Sequence, residues 1–326
     1  MPIEGCFILI ILVLPHLYLS KTYHEDDLNV GYMSQKDNME KLEISGMPII
    51  KTIKLLQSEP FVVSFLGGIT GKHIKKVFTK NNIKSEHIYT RSDTELKVNI
   101  LDNNNKSYAV IGENAKNIMD KEYAMYKSIL NNLRNMAHVV IINESFFKSN
   151  EKEFYADILK FYKNDHYKII VNTDKYSNIL DFSDIIIPYA IKVTISKDDK
   201  ILEKSNDEIV KKYLAYIKKG IHYVAIDIAG KGAIFISKNK TCYIESNHDL
   251  PSEKISEAID AFLGAIAVGI ERKYEQEKMS KIAFGTSVAV LQNKGISYCK
   301  QNDIMINKNK FKISEINNKN KISSNN

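Results

Sequence analysis

Phe61–Leu66, FVVSFL, runs directly into Gly67-Gly68-Ile69-Thr70-Gly71 and then into a basic amphipathic stretch, Lys72–Lys80. An unbroken apolar run suits a strand covered on both faces. Strand, glycine turn and helix in that order are the grammar of a βαβ unit. The glycines either approach a ligand or relieve crowding where strand meets helix, and the sequence leaves both readings open. No Gly-Lys-Ser/Thr ending follows, which excludes a Walker A motif.

The same grammar recurs along the chain. Cys6–Leu14, CFILIILVL, is too short to span a bilayer. Glu4 precedes it in place of Lys or Arg, and no small-x-small cleavage site follows, so a central strand is expected rather than a signal segment. Further strands are expected at His138–Ile142, Lys168–Val171, Asp184–Ile187 and Tyr223–Ile228, with a hairpin-like pair at Ala233–Ser237 and Thr241–Glu245. Helices are expected at Pro48–Gln57, Asp120–Arg134, Glu151–Tyr162, Asp207–Lys218, Ile259–Gln276 and Lys281–Gln292. This alternation argues an α/β fold with a mainly parallel sheet covered on both faces. Residues 20–45 and 86–112 are polar and alternating, and read as a small β lid over the sheet's carboxyl edge, where open α/β folds bind ligands. The Lys/Asn/Ser-rich stretch from about Asn307 reads as a frayed tail. The expected division is one domain over residues 1–306, with lid segments at about 16–45 and 86–112, followed by the tail at 307–326.

Composition narrows the function. The chain has 326 residues, 46 Lys and Arg against 39 Asp and Glu, and a net charge of +7. The basic residues are scattered and never alternate with aromatics in a run, which speaks against a nucleic-acid partner. Cys6, Cys242 and Cys299 are far apart and lack CxxC spacing, which points to a reducing, cytoplasmic compartment. The His residues show no ligand spacing such as HExxH, so no metal site is assigned to protein side chains. No membrane partner is expected either.

The stretch Pro251–Arg272, PSEKISEAIDAFLGAIAVGIER, carries the chemistry candidate. Ser256 is placed to cap a helix, with Glu257 and Asp260 in its first turn. Phe262, Leu263, Ile266, Ala267 and Ile270 form a buried face, and Ala261, Gly264, Ala265 and Gly269 allow close packing on a sheet. A carboxylate at the positive end of such a helix is either an ordinary acidic first turn or a group set for charge chemistry.

Ser64-Phe65-Leu66-Gly67-Gly68-Ile69-Thr70-Gly71, Gly230-Lys231-Gly232-Ala233 and Asp260-Ala261-Phe262-Leu263-Gly264-Ala265 together resemble the PfkB (ribokinase-like) carbohydrate kinases. The nearest branch holds 1-phosphofructokinase and tagatose-6-phosphate kinase. The resemblance extends from about Phe7 to about Gly295. It implies a three-layer ribokinase-like sandwich with a small β lid, and an ATP-dependent kinase using Mg²⁺. In that family a Gly-Ala-Gly-Asp turn opens the helix. The Asp accepts the proton of the attacking sugar hydroxyl, and the turn's N–H groups hold the phosphoryl group. Here the catalytic Asp is Asp260, and Glu257, Ala258 and Ile259 stand where Gly, Ala and Gly are expected.

Other ligand positions carry over in the same way. The Gly-Gly-Lys-Gly-x-Asn sugar motif falls on Glu43-Ile44-Ser45-Gly46-Met47-Pro48, and the Asp of the Asn-Pro-x-x-Asp contact on Tyr18. The lid's Thr-Arg-x-Asn falls on Thr94-Glu95-Leu96-Lys97, where Lys97 and nearby Lys51 supply positive charge. Tyr18, Gly46 and Lys97 are therefore the substrate candidates. On the nucleotide side the candidates are Asp227, at a Ser position, with Gly230, Lys231 and Gly232. The Asn-x-x-Glu motif associated with Mg–ATP falls on Tyr189-Ala190-Ile191-Lys192. Three readings remain open: phosphotransfer to a sugar or sugar-phosphate hydroxyl, a catalytically inactive relative that binds a nucleotide, a sugar phosphate or a protein partner, or a drifting paralogue with no strong ligand. The resemblance also implies a homodimer through the lid.

Overall fold

The computed structural model describes residues 9–24, 41–101, 107–112, 118–143, 157–160, 162, 167–173, 187–195, 201, 205–228, 232–245 and 254–318. The chain opens with β1 (Leu9–His16), β2 (Tyr18–His24) and β3 (Lys41–Ile44), then α1 (Met47–Leu55), β4 (Glu59–Leu66), α2 (Gly68–Lys80) and β5 (Lys84–Tyr89). Next come β6 (Glu95–Leu101), β7 (Ser107–Gly112), α3 (Asp120–Leu133), β8 (Ala137–Asn143), β9 (Lys168–Thr173) and β10 (Ala190–Thr194). The described residues continue with α4 (Asn206–Lys218), β11 (Tyr223–Asp227), β12 (Gly232–Ser237), β13 (Lys240–Glu245), α5 (Ile255–Glu271), α6 (Gln276–Gln292), α7 (Gln301–Lys308) and β14 (Ile313–Asn317).

Ten strands form one sheet in the order β14-β13-β12-β11-β10-β9-β8-β1-β4-β5. Pairing is parallel from β5 through β11 and antiparallel for β12, β13 and β14. The apolar run of β1 takes the centre, between β4 and β8, and Ile10 to Val13 have no exposed surface. One face of the sheet buries Ile10, Leu12, Val139, Ile141 and Ile170 against α1, α5 and α6. The other buries Ile11, Val13, Val140 and Val171 beneath α3, and Ile191, Val193 and Val224 beneath α4. Two covered faces are what near-continuous apolar strands demand.

The lid is a separate sheet of four strands, β3-β2-β6-β7, in which β2 and β6 run parallel. Several expectations need correction here. Residues 86–89, expected in the lid, belong to β5 at the edge of the large sheet. The 307–326 tail is in part ordered: Ile313–Asn317 pairs with β13, and Asn318 donates to Ser237 O at 2.9 Å. Residues 319–326 lie outside the described residues, as do 184–186 of the expected Asp184–Ile187 strand, and Ile187 itself is not in a strand. Of the expected Glu151–Tyr162 helix, residues 157–160 are described and helical.

The Gly67–Gly71 question is settled by packing. A Cβ at Gly67 would lie 1.8 Å from Ser92 O, and Gly68 has φ +60 with Asp93 Oδ1 2.0 Å from its would-be Cβ. These glycines let the 90–94 turn close over the start of α2. The helix accordingly starts at Gly68, earlier than the expected Lys72.

Candidate active site

The face of the sheet that packs on α5 turns polar at its carboxyl edge. β1 runs Ile10, Leu12 and Leu14 on that face and ends, past an irregularity in its pairing with β4, at His16, which lines the cleft. β8 ends at Asn143 and β9 carries Asn172, each in line with the apolar position two residues earlier, and β10 ends at Thr194, in line with the buried Lys192. These four residues floor a cleft of about 860 Å³ that β2, β3 and β6 roof. Its wall is the first part of α5, with Ile296 and Ser297 beyond α6. Such a cleft at the strand ends of an open α/β sheet has the size of a small-molecule site.

Asp260 lines this cleft, together with Glu257 and Ile259. The helix that carries them begins at Ile255, four residues before the expected Ile259, and Lys254 takes the cap position with no side-chain cap. Ser256 is therefore not the cap. The cause lies in residue type: Glu257 and Ala258 are good helix formers, so helix propagates back through them. Ala258 N–H already bonds Lys254 O at 2.9 Å. The unbonded N–H groups precede Ala258, and Asp260 sits in the second turn instead of at the mouth. Ala258 is buried and does not face the cleft, so the expected Glu257–Ala258–Ile259 cradle is not formed.

Glu257 does not point at a vacant anion position either. Its Oε2 accepts from Ile296 N at 3.0 Å, and its Oε1 lies 3.2 Å from Lys254 Nζ. Lys254 in turn lies 3.3 Å from Glu43 of β3, so one ammonium joins the helix start to the lid.

Of the substrate candidates, Tyr18, Gly46 and Lys97 all line the cleft. Gly46 precedes α1 with φ +73, where a Cβ would lie 2.8 Å from Leu14 Cδ1. Lys97 Nζ stands 3.7 Å above the Tyr18 ring and 3.8 Å from Glu95 Oε1. Burial, then the negative charges of Asp260, Glu95 and Glu43, hold the Tyr18 phenol above its ordinary pKa of 10.0. Burial is the larger cause, and the three carboxylates act in the same direction. The floor residues Asn143, Asn172 and Thr194, with His16, were missed from sequence. Their signal was present as a polar residue ending each apolar strand.

Of the nucleotide-side candidates, the described Asp227 and Gly232 do not line this cleft. Asp227 ends β11 with no exposed surface and is not part of the cleft lining. Gly232 opens β12, where a Cβ would lie 2.7 Å from Ile244 O, so sheet packing explains that glycine. Gly230 and Lys231 lie outside the described residues.

Among the described residues no group of three His, Cys, Asp or Glu converges. Lys192, on which the resemblance places the family's glutamate, is fully buried, and its Nζ donates to Thr194 Oγ1. An ammonium at that point repels a divalent cation.

A family model described as "pfkB family carbohydrate kinase" matches residues 46–303. The chain belongs to the PfkB carbohydrate kinase family. It is 25% identical over 203 residues to the 1-phosphofructokinase of Borreliella burgdorferi, an alignment covering 61% of this chain and 64% of that protein. It is 22% identical to the tagatose-6-phosphate kinase of Staphylococcus epidermidis over 84% of this chain and 90% of that one. Among solved structures, phosphofructokinase-2 from Escherichia coli, in complex with substrates and products, superposes with a TM-score of 0.78 at 13% identity. That superposition covers 93% of this chain and 99% of the other, and establishes the ribokinase-like fold. Among the described residues no helix is long and apolar enough to cross a membrane.

Proposed function

We propose that this PfkB-family protein is an ATP-dependent kinase acting on a sugar or sugar phosphate, with Asp260 accepting the proton of the attacked hydroxyl. The observation that carries this reading is the position of Asp260: a half-buried carboxylate in a lidded cleft whose lining also includes Asn143, Asn172 and Thr194. A carboxylate so placed needs only to receive a proton as the hydroxyl oxygen attacks. The side chains of Asn172 and Tyr18 orient the hydroxylated substrate, and the lid excludes water. ATP as donor rests on family membership, and no step is assigned to a metal.

The test is ADP release from ATP across a panel of sugars and sugar phosphates. Asp260→Asn should lower the rate by roughly 10²–10⁴. It should retain the sugar's thermal shift, which at about 100 times Kd corresponds to roughly 2.7 kcal/mol. Unchanged turnover in Asp260→Asn would refute the assignment.

Lys192 and the early start of α5 favour a second reading, a ligand-binding relative without turnover. A thermal shift with no ADP release supports it. The lid also exposes Leu42, Val110 and Ile111, consistent with a homodimer through that sheet. Sedimentation of Val110→Lys against the unaltered protein tests this.

A further inference from the structure

We infer that the cleft selects an unphosphorylated, neutral polyhydroxylated substrate over its phosphate ester. The inference rests on the cleft being the sugar site, and concerns what the site accepts rather than whether it turns over.

Among the described residues lining the cleft, four carry carboxylates: Glu43, Glu95, Glu257 and Asp260. Three carry ammonium groups: Lys51, Lys97 and Lys254. His16 and His73 add charge only when protonated. Among these described residues carboxylates outnumber lysines by one, and Asp260, Glu95 and Glu43 all lie near enough to Tyr18 to act on it.

Each lysine is already engaged. Lys254 is held between Glu43 and Glu257 at 3.3 and 3.2 Å. Lys97 lies over the Tyr18 ring and 3.8 Å from Glu95, whose other oxygen is 2.8 Å from His16 Nε2. Lys51 Nζ donates to Ser297 Oγ at 2.7 Å. A phosphate that takes Lys254 must strip it from Glu43 and Glu257 and leave those carboxylates beside the new dianion.

Hydrogen-bond polarity gives the same answer independently. Asn172 is 7% exposed, its Nδ2 donates to Asn143 Oδ1, and its own Oδ1 has no partner. A buried acceptor in the floor calls for a donor from the ligand. The carboxylate of Asp260 is acceptor-only as well. Sugar hydroxyls donate, whereas a phosphate monoester dianion offers acceptors alone.

Calorimetry without nucleotide or metal tests this, using neutral ketohexoses, aldohexoses and pentoses beside their 1- and 6-phosphate or 5-phosphate esters at constant ionic strength. At least one free sugar should bind, with its ester weaker by roughly tenfold or more. Glu43→Gln, which loosens the hold on Lys254, should move that ratio toward the ester by on the order of tenfold. An ester that binds the unaltered protein tighter than its parent sugar overturns the inference, and so does the absence of binding by every free sugar. The kinase reading fails separately: neutral-sugar binding without ADP release removes the kinase and leaves this preference standing.

Discussion

His16 Nε2 lies 2.8 Å from Glu95 Oε2, joining the last residue of β1 to the first residue of β6. One is the end of the central strand and the other the start of a lid strand. Both side chains are largely shielded, at 16% and 9% exposure. Because β1 continues through Leu17 into β2, this contact and the β2–β6 pairing fix one corner of the lid over the cleft.

Glu95→Ala should therefore loosen the lid. The variant leaves the shielded His16 ring without its partner and removes the carboxylate near Lys97, for an expected loss of about 1–3 kcal/mol. Hydrogen exchange should accelerate in β2, β3 and β6 more than in β8 and β9. Equal protection in both sets would show that the corner contact does not hold the lid.

Glu257 is a brace where the family resemblance implied a phosphate cradle. Its carboxylate accepts from Ile296 N–H and pairs with Lys254, at 14% exposure. Glu257→Ala should lower stability by roughly 1–3 kcal/mol, because the Ile296 N–H loses its acceptor. It should not raise the phosphotransfer rate, since the early start of α5 persists with alanine in place. A rate gain with unchanged melting would show that Glu257 obstructs an otherwise intact site.

His87 gives the stability a pH dependence. Burial, reinforced by Lys75, lowers its pKa from 6.5 to about 4, and its Nδ1 is 2.8 Å from Ser64 Oγ. The folded state holds the ring neutral while the unfolded chain protonates it, so between pH 6.5 and about 4 the unfolded state binds more protons. Stability is fully present above pH 6.5 and declines as pH falls to about 4, by on the order of 2 kcal/mol once partial exposure is allowed for. Urea titrations at several pH values should show the decline, and His87→Gln should flatten it. An identical slope in the variant would assign the effect to other groups.

How much of this was legible depended on what held each element together. β1, β4 and β8 are buried on both faces, so their apolar runs announced them. The Asp260 helix was legible because Phe262, Leu263 and Ile266 repeat at its period. Its start was not, since the sequence shows a polar run and only the absence of glycine permits helix to reach back to Ile255. β14 was invisible for a related reason. Its Ile313-Ser314-Glu315-Ile316-Asn317 looks like tail composition, yet the edge of β13 and the side-chain bonds of Asn318 to Ser237 and Thr241 order it. The cleft's residues could be named from a family pattern, but their pairings arise from elements up to 246 residues apart, as with Lys51 and Ser297.

The pairing of Lys192 with Thr194 leads to the last prediction. Lys192 lies on the α5-facing side of β10, level with Asn172 on β9, and Thr194 stands level with Asp227 on β11. A buried ammonium persists only near compensating groups, and this face supplies a hydroxyl acceptor and a carboxylate. A divalent cation arriving with a nucleotide meets that fixed positive charge. Any stabilisation by ATP should accordingly be as large in EDTA as in Mg²⁺, read as the shift in Tm at equal nucleotide concentration. Lys192→Met, which keeps the bulk and removes the charge, should weaken nucleotide stabilisation in EDTA and make it respond to Mg²⁺. A shift in the unaltered protein that appears only with Mg²⁺ would show that the cation sits elsewhere and that Lys192 serves the sheet alone.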